Sequence, residues 1–344
     1  EMSAVGIKKT TEGGHLEVIV TERSACFLQV MVNYNYNFYT GGWSLTPDVD
    51  HIFDLYHSSM GQYAWAQNYP GFENTLYFDP VAEKVKYPPS SDVIKSAAVN
   101  AQWVKAKYVP VIELWAAKGV KAYRTGWEGV VNMKGYGVDN SGYGWSFLNM
   151  EHPTDDIIDY GFKSDISALN VVSSEWLWDW LVLDLLYDSL LIRNPYNLPE
   201  EVGRLATSWS VGTWGTPTKT VVEFTLRTDA TFHDGSPVKP ADVAFSLLMA
   251  KAAGAGVAWN YPMVMDIDHV EIAGNVVKVF FTKQSAWALH WAGFMPIINK
   301  DLWFDAIGVS GVYIAQYDRD SLGFIAAGYS ASGFIQDNTD GTYY

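Results

Sequence analysis

The residues best suited to hold a small molecule are aromatic and acidic, and they gather in two short stretches. The first is Gly41-Gly42-Trp43-Ser44-Leu45-Thr46-Pro47-Asp48, with Asp50 just beyond it. A tryptophan offers a flat apolar face and one N–H. A threonine hydroxyl both donates and accepts, and a carboxylate pairs with an amine. A loop of this make-up suits a small polar solute. The second stretch is Trp259-Asn260-Tyr261, which follows a helical pattern. Bond-breaking chemistry is poorly served. Asp48 with Asp50, and Asp266 with Asp268, are acidic pairs, but nothing in the order of residues sets either pair across a cleft as glycoside hydrolysis requires. No Gly-x-Ser-x-Gly elbow, Walker loop, dinucleotide glycine run or His-Glu-x-x-His occurs. The histidines (His15, His51, His57, His152, His233, His269 and His290) are scattered, and the single cysteine, Cys26, reads as a small buried apolar residue. Zinc spacing is lacking, and so is an EF-hand spacing around Asp48-Val49-Asp50. The expectation is a protein that binds rather than catalyses, with no metal and no cofactor.

Composition narrows the partners. The 344 residues carry a net charge of −15, which repels nucleic acid and anionic lipid. Apolar residues make up 49% and charged residues 18%, a globular balance sufficient for two ordinary domains. No apolar run approaches the roughly 20 residues that span a bilayer. The opening Glu1-Met2-Ser3-Ala4 has no signal peptide, so any targeting signal is expected outside this chain. Fifteen Trp, 21 Tyr and 16 Phe are more than a core alone calls for, and they suit a cleft for peptides or sugars.

Several elements must position these residues. Leu16–Val20 reads as a strand, 49–60 as a short helix with Ile52, Phe53, Leu55 and Tyr56 inward, and 92–107 as a helix capped by Ser91 or Asp92. Val109–Trp115 reads as a buried strand. Residues 125–155, rich in Gly, Asn and Tyr, read as a loop zone and the best boundary. Beyond it, 174–192 has helical spacing from Trp176 to Tyr187. Thr220–Arg227 alternates as a half-buried strand with Val222, Phe224 and Leu226 inward. Pro240 and Asp242 open a helix that stops at Gly254. Gly274-Asn275 turns a hairpin between 270–272 and 276–281. Trp178, Trp287 and Trp291 read as packing residues, and His233 as a turn-stabilising hydrogen-bonder.

A family resemblance rests on several of these blocks. Tyr160-Gly161-Phe162, Leu183–Leu191, Leu205-Ala206-Thr207-Ser208-Trp209, Phe224-Thr225-Leu226-Arg227, and above all Phe232-His233-Asp234-Gly235-Ser236-Pro237-Val238 through Ala241-Asp242-Val243 occur in order. Over 155–303 they resemble the first lobe of the family 5 extracellular solute-binding proteins of ABC importers, the dipeptide and oligopeptide group. Gly42-Trp43 with Asp48 and Asp50, then Asn68-Tyr69-x-Gly71-Phe72-x-Asn74, then Val109-Pro110-Val111-Ile112, resemble the later half of the second lobe and its return to the first. Late pieces therefore precede early ones. Either the chain spans the join between tandem modules of a longer parent, the reading preferred here, or the fold is circularly permuted.

The resemblance implies an α/β, periplasmic-binding-protein-like type II, two-lobed fold, partial or permuted. It implies a second-lobe segment and return strand over 1–130, a linker over 131–155 and a first-lobe segment over 156–303, with 304–344 unassigned. It implies capture of a short peptide between lobes and delivery to a membrane permease; some relatives bind oligosaccharides instead. The location expected is extracellular or periplasmic, with membrane anchoring through a segment outside this chain. The Gly-Trp loop of the family carries an aspartate three residues after the tryptophan. Here Thr46 stands in that place, with Asp48 two residues on. Trp43, Thr46, Asp48, Trp259 and Tyr261 are thus the implied ligand contacts.

Overall fold

A computed structural model describes residues 17, 19–20, 23–43, 45–61, 67–116, 119–140, 142–161, 165–166, 169–174, 176–254, 258–303, 317–318, 323–324 and 342–343. Its contacts divide the chain into two units, 1–41 and 42–344. In the first, helix α1 (Arg23–Phe27) runs directly into a wide turn over Leu28–Val32. Asn33 N–H closes that turn on Leu28 O at 2.9 Å. Tyr36 and Tyr39 meet edge to face, with centroids 6.2 Å apart. Leu16 and Val18 of the expected strand lie outside the described residues.

The second unit opens with α2 (His51–Tyr56), α3 (Asp79–Lys86) and α4 (Ile94–Tyr108). The inward residues Ile52 and Phe53 of α2 join Phe78, Ala82, Val85, Ala97, Ala98 and Ala101 in a small core. The alanines let α3 and α4 approach closely. Entry to α4 differs from expectation: a 3-10 turn over Ser91–Val93 leads in, and no side chain caps it.

Short helices α5 (Trp145–Asn149) and α6 (Leu177–Leu186) follow, then the strand pair β1 (Leu191–Arg193) and β2 (Glu201–Gly203). The helical spacing over 174–192 is thus realised only in part. Tyr187 turns extended, and Leu190 and Leu191, fully buried, enter or approach the strand pair. Strand pairing and core burial outweigh local periodicity there.

The main sheet contains β3 (Ala206–Trp214), β4 (Lys219–Leu226), β5 (Ile267–Ala273), β6 (Val276–Phe281) and β9 (Thr342–Tyr343), in the order β3-β4-β6-β5-β9, every pair antiparallel. Two further short strands, β7 (Tyr317–Asp318) and β8 (Gly323–Phe324), pair with each other. β4 alternates as the sequence predicts, with Val222, Phe224 and Leu226 buried. Gly274, at φ +60°, turns the β5–β6 hairpin. Helix α7 (Pro240–Ala253) packs on this sheet, and α8 (Tyr261–Val264) and α9 (Ala288–Gly293) follow it in turn. From Asp242 to Ala250 every residue of α7 is buried. A helix apolar on all sides is a core helix, and the main core gathers Val243, Leu247, Leu248 and Met249 with Phe224, Val277 and Trp291. Asp242 Oδ2 accepts Lys239 N–H at 2.7 Å, completing the helix start that Pro240 opens.

Two segments behave differently from their sequence reading. Val109–Trp115, read as a buried strand, has no backbone partner among the described residues beyond Val109 N–H, which ends α4 on Lys105 O. Ile112, Leu114 and Trp115 are 70%, 66% and 79% exposed. Apolar alternation permits a strand but does not supply the neighbour that a strand needs. The second is the segment read as linker. Residues 126–151 are internally bonded: Glu128 pairs with Glu151, Met133 with Gly137, and buried Asn140 donates to Val131 O and Gly137 O while accepting Ser146 N–H. Tyr143 and Met133 of this loop pack against Ile192 of β1. The mixed α/β class is as expected.

Candidate functional site

The loop led by Gly42 and Trp43 is held by local bonds. Trp43, 43% exposed, lies against Tyr69 with centroids 5.2 Å apart and planes tilted by 42°. Tyr69 is positioned by its neighbour Asn68, whose amide donates to His57 O and Phe72 O (3.1 and 2.8 Å) and accepts Phe72 N–H. Gly61 leaves room for that amide, since a Cβ there would lie 3.0 Å from Asn68 Nδ2. Asn74 Oδ1 accepts Tyr77 N–H at 2.9 Å at the approach to α3. The Asn68-Tyr69-x-Gly71-Phe72-x-Asn74 block is therefore a scaffold behind Trp43.

Downstream of Trp43 the acidic residues turn inward. Thr46 hydroxyl donates to Asp48 O at 3.4 Å. Asp48 Oδ2 accepts from Arg193 Nη2 on β1 and lies 2.9 Å from His290 Nδ1 on α9. His290 Nε2 lies 2.6 Å from Glu201 Oε1 on β2. An imidazole flanked by a carboxylate at each nitrogen donates to both only when doubly protonated. Two cations and two anions thus form a closed, neutral group. Burial works against the His290 charge, but the Asp48 and Glu201 hydrogen bonds outweigh it and push the imidazole up to about 9. Burial opposes ionisation of Asp48 as well. His290 and Arg193 overcome it and hold the carboxyl below its usual range. Glu201 is lowered too, first by its His290 bond. Phe294 closes one side, stacked on His290 at 5.0 Å and lying 4.9 Å from the Arg193 guanidinium.

Asp50 enters an adjoining group. Its Oδ2 accepts Trp291 Nε1–H at 2.8 Å and lies 3.8 Å from Lys86 Nζ. Lys86, fully buried, donates to Asp54 Oδ1 at 3.0 Å and sits 4.7 Å from the Trp291 ring centre. Burial would strip Lys86 of its proton, but Asp54 and Asp50 reverse that and raise it. Burial lifts Asp54 to about 6 against the pull of Lys86. The exit of α3 is bound to the far part of the chain as well. Trp287 Nε1 donates to Val85 O at 2.8 Å, Ser285 Oγ to Lys86 O at 2.8 Å, and Tyr87 hydroxyl to Asp266 Oδ2 at 2.7 Å.

On the other stretch, Trp259 N–H donates to Val172 O at 3.0 Å, and Tyr261, partly buried, begins α8 against the main core. Neither makes a bond in the Asp48 group. Of the five sequence-predicted residues, Trp43, Thr46 and Asp48 share one loop, while Trp259 and Tyr261 share another. Arg193, Glu201, His290 and Lys86 were not foreseen. Their partners stand 145, 89, 242 and 32 positions away along the chain, beyond any local pattern. Trp287 and Trp291 are buried as expected, and Trp178 stacks on Trp176 at 5.1 Å. The Asp234-Gly235 turn is held by Asp234 Oδ1, which accepts Ser236 N–H and Oγ–H (2.9 and 2.6 Å), rather than by His233, which is exposed. Among the described residues no group of His, Cys, Asp and Glu is arranged to hold a metal, and no helix is long and apolar enough to cross a membrane.

Comparison with known proteins adds one sequence match. Residues 200–320 match the family model described as bacterial extracellular solute-binding proteins, family 5 middle. No curated protein matches the chain. Among solved structures, NikZ from Campylobacter jejuni in complex with Ni(L-His) is similar at 25% identity and a TM-score of 0.33, covering 40% of this chain and 26% of that one. MoaA in complex with mannopinic acid, from A. tumefaciens R10, is similar at 23% identity and TM-score 0.36, covering 42% and 30%. The Escherichia coli murein tripeptide binding protein MppA is similar at 20% identity and TM-score 0.35, covering 41% and 30%. The chain thus spans less than a third of the length of each of these proteins.

Proposed function

From the match of residues 200–320 to the family 5 solute-binding model, we propose that the chain is part of the solute-capturing receptor of an ABC importer. Its solute is a short peptide, enclosed without chemical change and passed to a membrane permease. The site of action is extracellular or periplasmic, with a membrane anchor outside this chain. The family match is the observation that carries the reading. The second-lobe segment over 1–130 and the first-lobe segment over 156–303 each contribute one ligand loop, Trp43 and Thr46 on one and Trp259 and Tyr261 on the other. Asp48 orients the first loop through Arg193 and His290.

That engagement of Asp48 bears on the ligand. A free peptide amine seeks a carboxylate, a charge-assisted bond worth roughly 1.5–3 kcal/mol. With Thr46 in the aspartate's usual place and Asp48 already paired, the proposed ligand is held by backbone and aromatic contacts. An oligosaccharide is the second reading, favoured by the exposed Trp43 face.

Thermal-shift titration with short peptides, their N-acetylated forms and β-linked oligosaccharides tests this. A ligand that binds the folded state raises its stability by RT ln(1 + [L]/Kd). The expected outcome is a rise with peptides, little altered by N-acetylation and much reduced in Trp43→Ala. A rise with oligosaccharides alone selects the second reading. Turnover of any ligand, or the absence of any rise, overturns the proposal.

A further inference from the structure

The exposed segment after α4 and the edge of β3, which has no neighbouring strand beyond β4 among the described residues, are complementary. Val109-Pro110-Val111-Ile112-Glu113-Leu114-Trp115 has strand-forming residues and an alternating pattern, yet residues 110–116 make no backbone hydrogen bond among the described residues. It is not a free tail, because Glu113 pairs with Lys105 of α4 and fixes where the segment leaves the helix. Its proline sits at the start, where a strand tolerates the missing N–H. β3 ends the sheet on the side away from β4. Its nine residues, Ala-Thr-Ser-Trp-Ser-Val-Gly-Thr-Trp, include no charge and no proline, and Thr207, Ser208 and Ser210–Thr213 are exposed. Natural sheets protect a long edge with lysine, proline or a covering segment. The one irregularity in β3 lies between Ala206 and Ser208, which leaves the rest straight enough to pair.

Among the described residues the chain thus carries an unpaired strand-forming segment and, beyond Ala206, whose N–H donates to Leu190 O, an unguarded sheet edge, and neither satisfies the other. We propose that they satisfy each other between copies: residues 111–115 of one copy add as a strand to the outer edge of β3 in a second. Main-chain bonds supply the attraction, and Ile112, Leu114 and Trp115 lose exposed apolar surface on pairing. Because each copy holds both halves, two such contacts close a symmetric dimer.

Sedimentation velocity over a concentration series is the test. The wild-type chain is expected to dimerise. Val211→Lys places a charge on the edge at a side chain already 52% exposed, and Ile112→Lys does the same on the segment at one 70% exposed, so neither disturbs the core. Circular dichroism and melting temperature, unchanged from wild type, verify this. Each variant alone is expected to raise the dimer dissociation constant by about tenfold or more. An equimolar mixture of the two restores one intact contact and recovers part of the association. A wild-type chain that stays monomeric throughout, or a dimer indifferent to Val211→Lys, overturns the proposal. In the second case the apolar segment is covered by some other surface.

Discussion

His290 on α9 and Glu201 on β2 are joined Nε2 to Oε1 at 2.6 Å, while the opposite nitrogen of the same ring faces Asp48 at 2.9 Å. One imidazolium therefore ties the loop after Trp43 to two elements that lie far beyond it in the chain. Because the histidine must be charged to serve both carboxylates, this junction has a pH dependence of definite sign.

The folded-state value of His290 is raised to about 9 from an ordinary 6.5. A group raised on folding contributes stability that is complete below its unfolded value and is lost as pH climbs through the folded one. Asp48 and Glu201 are lowered, so their contribution is present above the ordinary carboxylate range and fades as pH falls through their folded values. His290→Gln should therefore be most destabilising between about pH 5 and 6.5. The gap to wild type should narrow towards pH 9 and again in acid. Urea unfolding across this range measures it; a gap independent of pH would show that the ring acts by shape alone.

Lys86 is fully buried and faces Asp54 and Asp50. Lys86→Met leaves buried Asp54 and half-buried Asp50 without their cation. Breaking a buried pair from one side costs about 3–5 kcal/mol. Adding Asp54→Asn to Lys86→Met should recover part of that loss, because the buried carboxylate that Lys86 contacted is then neutral. Equilibrium unfolding of the single and double variants tests the coupling.

Asp184 on α6 has the opposite character. Its Oδ2 is buried and has no hydrogen-bond partner. Burial drives the carboxyl to about 7, opposed by Arg204 and by the Gly142 N–H. Since the folded value is raised, stability falls as pH rises from about 4 to about 7, where the unfolded carboxyl ionises and the folded one does not, and the loss is complete above 7. Asp184→Asn keeps an acceptor for Gly142 and removes that cost. It should stabilise the protein above pH 7 by on the order of 2 kcal/mol, and by little below pH 4. Melting temperatures of the two proteins at pH 4 and pH 8 check this.

Two glycines of the 126–151 loop separate backbone strain from collision. Gly129 has φ +70°, and a Cβ there would lie 1.9 Å from Asn149 O beside the Glu128–Glu151 bridge. Gly135 has φ +82° and nothing within 4 Å. Gly135→Ala should cost about 1–2 kcal/mol, the left-handed penalty alone. Gly129→Ala should cost more and expose amides of the loop to hydrogen exchange. Equal costs would mean that the loop yields at Asn149.

Local readings succeeded where one segment contains its own cause. The β4 alternation, the Pro240–Asp242 helix start and the Gly274-Asn275 turn each depend on neighbours within a few residues, and each is found. Residue order likewise carries the family match over 200–320, because its blocks follow one another along the chain. Only the tertiary structure could assign a partner. Val109–Trp115 alternates like a strand yet has no strand partner among the described residues, and Leu191 and Ile192 left a helical pattern for a strand because β2 was there to pair. The sequence marks Asp48 as an acidic residue near Trp43, but its partners Arg193 and His290 appear only in the folded chain. A charge is read from one residue, but what neutralises it depends on which distant elements the core brings to within 3 Å. That distance is set by packing, which no local pattern encodes.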